Sequence, residues 1–155
     1  MQKASPSYTL LILSISSPLL LGVYRDNVLI EERKSEQKIS EVLLTEVNKV
    51  LEQYPLSLIL YTRGPGSYMA IKLTYIILKT IETVTKIPFR GCSAFAFNDN
   101  RPIKAIGNLY FIKEKETIIT QKFDQLIPQV YSVPVSLESL MIDELPTPDY
   151  LLPAV

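Results

Sequence analysis

Five consecutive residues, Arg63-Gly64-Pro65-Gly66-Ser67, are the part of this 155-residue sequence best suited to chemistry. They separate the apolar run "LILYT" from a long apolar stretch of helical period. Backbone N–H groups at a helix start attract anions, and glycines let a phosphate approach the chain, so phosphate binding is one use of such a turn. A P-loop, however, needs two glycines flanking four residues, then Lys and Ser or Thr. Here Gly64 and Gly66 flank one residue, Ser67-Tyr68 follows, and Lys72 lies well along the helix. In a dinucleotide fingerprint the third glycine would fall on Met69. The other use is structural: glycines for unusual backbone angles, Pro65 to stiffen the turn, Ser67 to cap the helix. The residue types favour turn and cap over an anion site. Arg63 reads equally as a contact for a partner carboxylate or nucleotide and as a local pair.

Other chemistry is restricted by composition. The sequence has no histidine, which removes His-based acid–base catalysis, Ser-His and Cys-His nucleophile pairs, and the usual zinc sites. Cys92 is the only cysteine, so there is no internal disulfide; it reads as a buried thiol in a chain of the reducing cytosol. Sixteen basic residues balance sixteen acidic ones, against strong nucleic-acid binding by this chain alone. The apolar fraction is 47% and mean hydropathy +0.17, greasy for one soluble domain. The run "YTLLILSISSPLLLGV" has the apolar core of a signal peptide, but Ser14, Ser16, Ser17 and Pro18 break it and no cleavage motif follows. It is also too interrupted to span a membrane. A cytoplasmic chain is expected.

The elements that position the turn follow from periodicity. Residues 8–15, 19–25 and 28–33 read as an antiparallel meander, with Asp26-Asn27 in its second turn. Residues 35–54 read as a helix with Ser35 as N-cap. Ile39, Leu43, Val47, Val50 and Tyr54 form its core stripe, with Leu44 and Leu51 to one side and Val42 to the other, an apolar arc of about 200°. Residues 57–63 are a central strand, Ser67 to about Lys86 a second helix, 87–91 a fifth strand, and Ser93–Asn98 a helical turn. The second helix confines Lys72, Lys79, Glu82 and Lys86 to one stripe; Tyr68, Met69, Leu73, Ile76, Ile77 and others cover most of the rest. Both helices carry more apolar surface than one core needs. Residues 103–122 read as a small hairpin, and a proline-rich tail follows Ile127.

Three antiparallel strands, helix, strand, helix, strand is the half-fold of actin-like ATPase and RNase H-like domains. Within it, "RGPGSYMAIKLTYIILKTI" resembles the helix-start signature R-G-P-G-S-[FY]-T-G-[VI]-R of the TsaB (YeaZ) family. "LLILSISSPLLLGVYRDNVL" resembles that family's opening hairpin, "IPFRGCSAFAF" its following strand and helix start, and "PDYLLPAV" its closing segment. The resemblance covers residues 8–98, weakens through 103–125 and returns at the last eight residues. It implies an α/β actin-like fold with an N-terminal lobe at 1–98 and a reduced C-terminal lobe and closing tail at 99–155.

The resemblance also implies a function. TsaB-type proteins are non-catalytic subunits that pair with a TsaD-type threonylcarbamoyl transferase, together with a TsaE-type ATPase, in making threonylcarbamoyladenosine in tRNA. The expected interface is the helix pair, with Leu44, Val47, Leu51, Met69, Ala70, Leu73, Ile76 and Ile77, and tRNA is reached through the complex. Ser14 stands where the family has Asp, so Ser14, Ser16 and Ser17 form a degenerate phosphate loop. No cofactor of its own is implied, with room for nucleotide at the partner interface. Ala70, Thr74, Ile76, Leu78 and Thr80 include larger side chains than the small residues usual in that helix, so the partner must have matching space. Two other readings stay open: a homodimeric α/β interaction domain, and a small actin-fold ATPase or kinase.

Overall fold

The computed structural model describes residues 5–15, 18–143 and 145–149. Its elements run β1 (Tyr8–Leu13), β2 (Leu19–Arg25), β3 (Val28–Ser35), α1 (Ile39–Gln53), β4 (Leu56–Gly64), α2 (Tyr68–Thr85), β5 (Phe89–Ser93), a 3-10 turn (Ala94–Phe97), β6 (Ile103–Lys104), β7 (Leu109–Glu114) and β8 (Thr117–Lys122). The first five strands form one sheet in the order β3-β2-β1-β4-β5; the last three form a second, β6-β7-β8. β1, β4 and β5 are parallel, and β1-β2-β3 is the expected antiparallel meander. Asp26 and Asn27 both take positive φ (49° and 68°), the conformation a tight two-residue hairpin turn requires and these residues tolerate.

Alternation along the strands splits the core in two. Leu10, Ile12, Leu21, Val23, Ile59, Tyr61 and Phe89 face α1 and α2, where Val42, Leu43, Val47, Val50, Ile71, Leu78 and Ile81 meet them. Leu11, Leu13, Leu20, Tyr24, Leu60 and Cys92 face the other way and are covered by Phe97, Val133 and Leu137. The central strands therefore bury both faces, which is why Leu58, Ile59, Leu60 and Tyr61 of β4 follow one another without a charged residue.

Helix α1 starts later than expected. Lys38 is its N-cap and makes no side-chain cap bond. Ser35 is still in the ladder, opposite Leu19, so the chain is extended there and cannot cap a helix. Ser67 caps α2 as expected: its hydroxyl accepts from the Ala70 N–H at 3.4 Å. β5 begins at Phe89 rather than 87 because Pro88 has no N–H to give the ladder; its carbonyl accepts from Ile59 instead, at 3.1 Å. The hairpin at 103–122 is a three-stranded sheet, with Ile103 and Phe111 in the helix-side core.

The tail is an extended strap. Leu29 N–H donates to Val135 O (3.0 Å), Leu137 N–H to Asn27 O (2.9 Å), and Val28 bridges Ser136, all at the β3 edge. Leu137 and Leu140 then lie on the second face, and Asp143 N–H donates to Gly91 O (2.8 Å) at the β5 edge. Seven residue steps of about 3.3 Å cover the four strand spacings of about 4.8 Å between those edges. The strap thus crosses the whole sheet.

Candidate functional site

The Gly-Pro-Gly turn is packed by the protein's own tail at Gly64 and by Ile15 at Gly66. A Cβ on Gly64, where φ is 138°, would lie 2.6 Å from the carbonyl oxygen of Asp149; one on Gly66 would lie 3.0 Å from Cβ of Ile15. The Gly64–Pro65 peptide is cis. Arg63 donates from Nε to Thr147 O (2.6 Å) and pairs with Asp143 through Nη1 (3.1 Å), while its carbonyl accepts from Asp149 N–H (2.7 Å). Its stem lies over Gly91, where a Cβ would collide with Arg63 Cδ. Tyr61 donates its hydroxyl to Pro146 O. Arg63 thus pairs within the chain, with residues 80 and 84 positions away rather than with sequence neighbours. Among the described residues, the turn redirects the chain, caps α2 and anchors the strap.

Ser14 does not line a phosphate cleft. Its side chain has no exposure, and its hydroxyl lies 2.6 Å from that of Thr74 on α2, which itself donates to Ala70 O at 2.7 Å. The serine ties the end of β1 to α2. Ser16 and Ser17 lie outside the described residues.

The helix face is apolar and open. Met69 is 71% exposed, Ile76 51% and Leu44 52%. Ala70, Leu73 and Ile77 are half-buried beside them. On α2, Met69, Leu73, Ile76, Thr80 and Val84 follow helical spacing on the side away from the buried Ile71, Thr74, Leu78 and Ile81. Lys72 and Lys79 edge this stripe, the latter 3.3 Å from Glu82. One expected interface residue needs correction. Val47 has no exposed surface and belongs to the core, because its position faces the sheet; Leu51, like Ile77, is half-buried and packs at the edge of that core. Sequence reasoning missed Val84, 76% exposed, and the strap contacts of Arg63. The helical spacing held a signal for Val84; nothing local to residue 63 signalled the strap.

Cys92 is fully buried. Burial first, and the nearby Asp143 charge second, push its thiol up to about 12, so it is no nucleophile in the folded state.

Five-stranded sheet, meander, and two helices on one face define an α/β protein of the actin-like ATPase fold. Two of the solved structures it resembles carry YeaZ in their descriptions. YeaZ from Pseudomonas aeruginosa superposes with a TM-score of 0.63 over 79% of this chain and 70% of that one, at 11% identity. An uncharacterized protein described as similar to peptidase YeaZ from Pseudomonas aeruginosa gives 0.61 over 86% and 72%, at 12% identity. The sequence matches no protein-family model and has no significant match among curated proteins. At these identities the likeness is one of fold. Among the described residues no helix is long and apolar enough to cross a membrane.

Proposed function

We propose that this protein is a non-catalytic interaction subunit that docks its two-helix face onto a TsaD-type threonylcarbamoyl transferase, serving threonylcarbamoyladenosine modification of tRNA. The observation that carries this reading is the apolar stripe formed by exposed Met69, Ile76 and Val84 with half-buried Leu73 among them, and exposed Leu44 on α1. Exposed apolar residues in a contiguous stripe mark an interface, and helices pack through such stripes. The YeaZ-like fold and the helix-start motif support the choice of a TsaD-type partner. A TsaE-type ATPase joins the same machine, tRNA is met through the complex, and this chain holds no cofactor of its own. The buried Ser14 and the filled Gly-Pro-Gly turn support that division of labour.

The test is sedimentation of the chain with the TsaD-family protein of the same organism. A one-to-one complex lost in Ile76→Asp, with the variant still folded, is expected. No complex, or one indifferent to Ile76→Asp and Met69→Asp, would sink the reading.

A further inference from the structure

Two open sheets have four edges, and three of these are protected. β3 carries Glu31, Glu32, Arg33 and Lys34, and its start is bridged by Ser136. β5 is met by the Asp143 N–H. β6 is two residues long, and its Lys104 N–H donates to the Gln129 side chain at 3.3 Å. β8 is different: six residues, no proline, and no charged side chain from Thr117 through Gln121.

The direction of its free groups is fixed by two bonds. Leu109 O accepts from Ala105 N–H on the β6 side (2.9 Å), and Asn108 O accepts from Phe123 N–H on the β8 side (3.0 Å). Successive backbone groups point to opposite edges. Hence residues 117, 119, 121 and 123 bond back to β7, while Ile118, Thr120 and Lys122 aim their N–H and C=O outward. None of those outward groups has a hydrogen-bond partner among the described residues.

We propose that the β8 edge pairs antiparallel with β8 of a second copy of this chain, about a two-fold axis at Ile119. Edge strands seek partners, and an antiparallel self-pair closes with two-fold symmetry. In this register Ile118 of one copy exchanges hydrogen bonds with Thr120 of the other, and the two Ile119 side chains, each 37% exposed, meet at the axis. Glu116, in the hairpin turn just before β8, comes beside Lys122 of the second copy, twice by symmetry. Neither has an ion-pair partner within the chain among the described residues. Moving the axis to Thr120 would instead set Glu116 against Asp124, a like-charge pair, and moving it by half a step would aim the ladder at groups already bonded to β7. This surface is separate from the helix face and does not rest on the function proposed above.

Sedimentation across a concentration series tests it. The wild-type chain is expected to dimerise. Thr120→Pro, which removes an outward N–H and no β7 bond, should weaken the dimer at least about tenfold. Glu116→Lys and Lys122→Glu should each self-associate poorly, while an equal mixture of the two should dimerise, because each then offers the other opposite charges. That mixture also decides the matter should Thr120→Pro fail to fold. A chain that stays monomeric throughout overturns the proposal. So does a dimer that survives Thr120→Pro but is lost in Ile76→Asp, which would place self-association on the helices.

Discussion

The hydroxyl of Ser14 lies 2.6 Å from that of Thr74, and neither side chain reaches water. The contact holds the end of β1 against α2. A carboxylate there would be buried without a cation among the described neighbours. Ser14→Asp should therefore lower folding stability by about 3 kcal/mol or more. Ser14→Ala should cost about 1 kcal/mol, since Thr74 keeps its bond to Ala70 O. Urea unfolding measures both. ATP turnover appearing in Ser14→Asp would revive the enzyme reading.

Core and exposed face divide α1 sharply. Leu44→Asp should stay within about 0.5 kcal/mol of the wild type, as exposed substitutions do. Val47→Asp should leave the chain unfolded, because it buries a charge among Leu43, Val50 and the sheet. Leu51→Asp should fall between. Circular dichroism melts of the three rank them, and an unfolded Leu44→Asp chain would redraw the face.

Arg63 is the strap's main anchor at its far end. Arg63→Ala should leave the sheet folded but free the residues near 143–149, so hydrogen exchange should quicken at the amides of Asp143 and Asp149. The amide of Leu137, nearer the middle of the strap, should remain protected. Uniform quickening would mean that the strap and sheet open as one unit.

Alkaline pH should destabilise the protein. The Cys92 thiol, at about 12 in the fold against an ordinary 9.0, holds its proton more tightly folded than unfolded. Its contribution is complete below about pH 9 and is lost as pH rises toward 12, at up to about 1.4 kcal/mol per pH unit. Burial raises Tyr131 as well, and burial with the Glu32 charge raises Tyr24, so both act in the same direction. Cys92→Ala should flatten the slope of stability between pH 9 and 11. An unchanged slope would assign it to the tyrosines.

Acid acts through Glu31. The Tyr54 hydroxyl at 2.5 Å, then Arg33 at 2.7 Å, hold its carboxyl below the usual carboxylate range against some desolvation. This stabilises the docking of α1 on β3 above pH 4.5 and is lost as pH falls through the lowered value. Tyr54→Phe should move the Glu31 titration upward, read by NMR of the carboxyl carbon.

What the sequence made legible was local. The Asp26-Asn27 turn, the Ser67 cap and the two-sided apolar run at β4 each follow from a few neighbouring residues, and each appears in the fold. The exposed part of the helix face was legible too, because helical spacing separates Met69 and Ile76 from Ile71 and Leu78. Periodicity placed Val47 in the core stripe, where it lies; its inclusion in the interface failed because an apolar arc of about 200° does not mark where the buried face stops. Ser35 was misread because a strand ladder outcompeted a cap. The pairing of Arg63 with Thr147 was out of reach: no periodicity links residues 84 positions apart.

The strap's position in the chain has a consequence for synthesis. Tyr24 donates to Pro134 O at 2.6 Å, a contact that spans 110 residues. On the ribosome, the five-stranded sheet is complete once Ser93 emerges, but Leu11, Leu20 and Leu60 stay bare until Val133 and Leu137 follow. A nascent chain of this protein therefore carries a greasy, uncovered surface while the roughly 40 residues between Ser93 and Val133 are made, the stage at which a chaperone has most to hold and a stalled product has most to aggregate with.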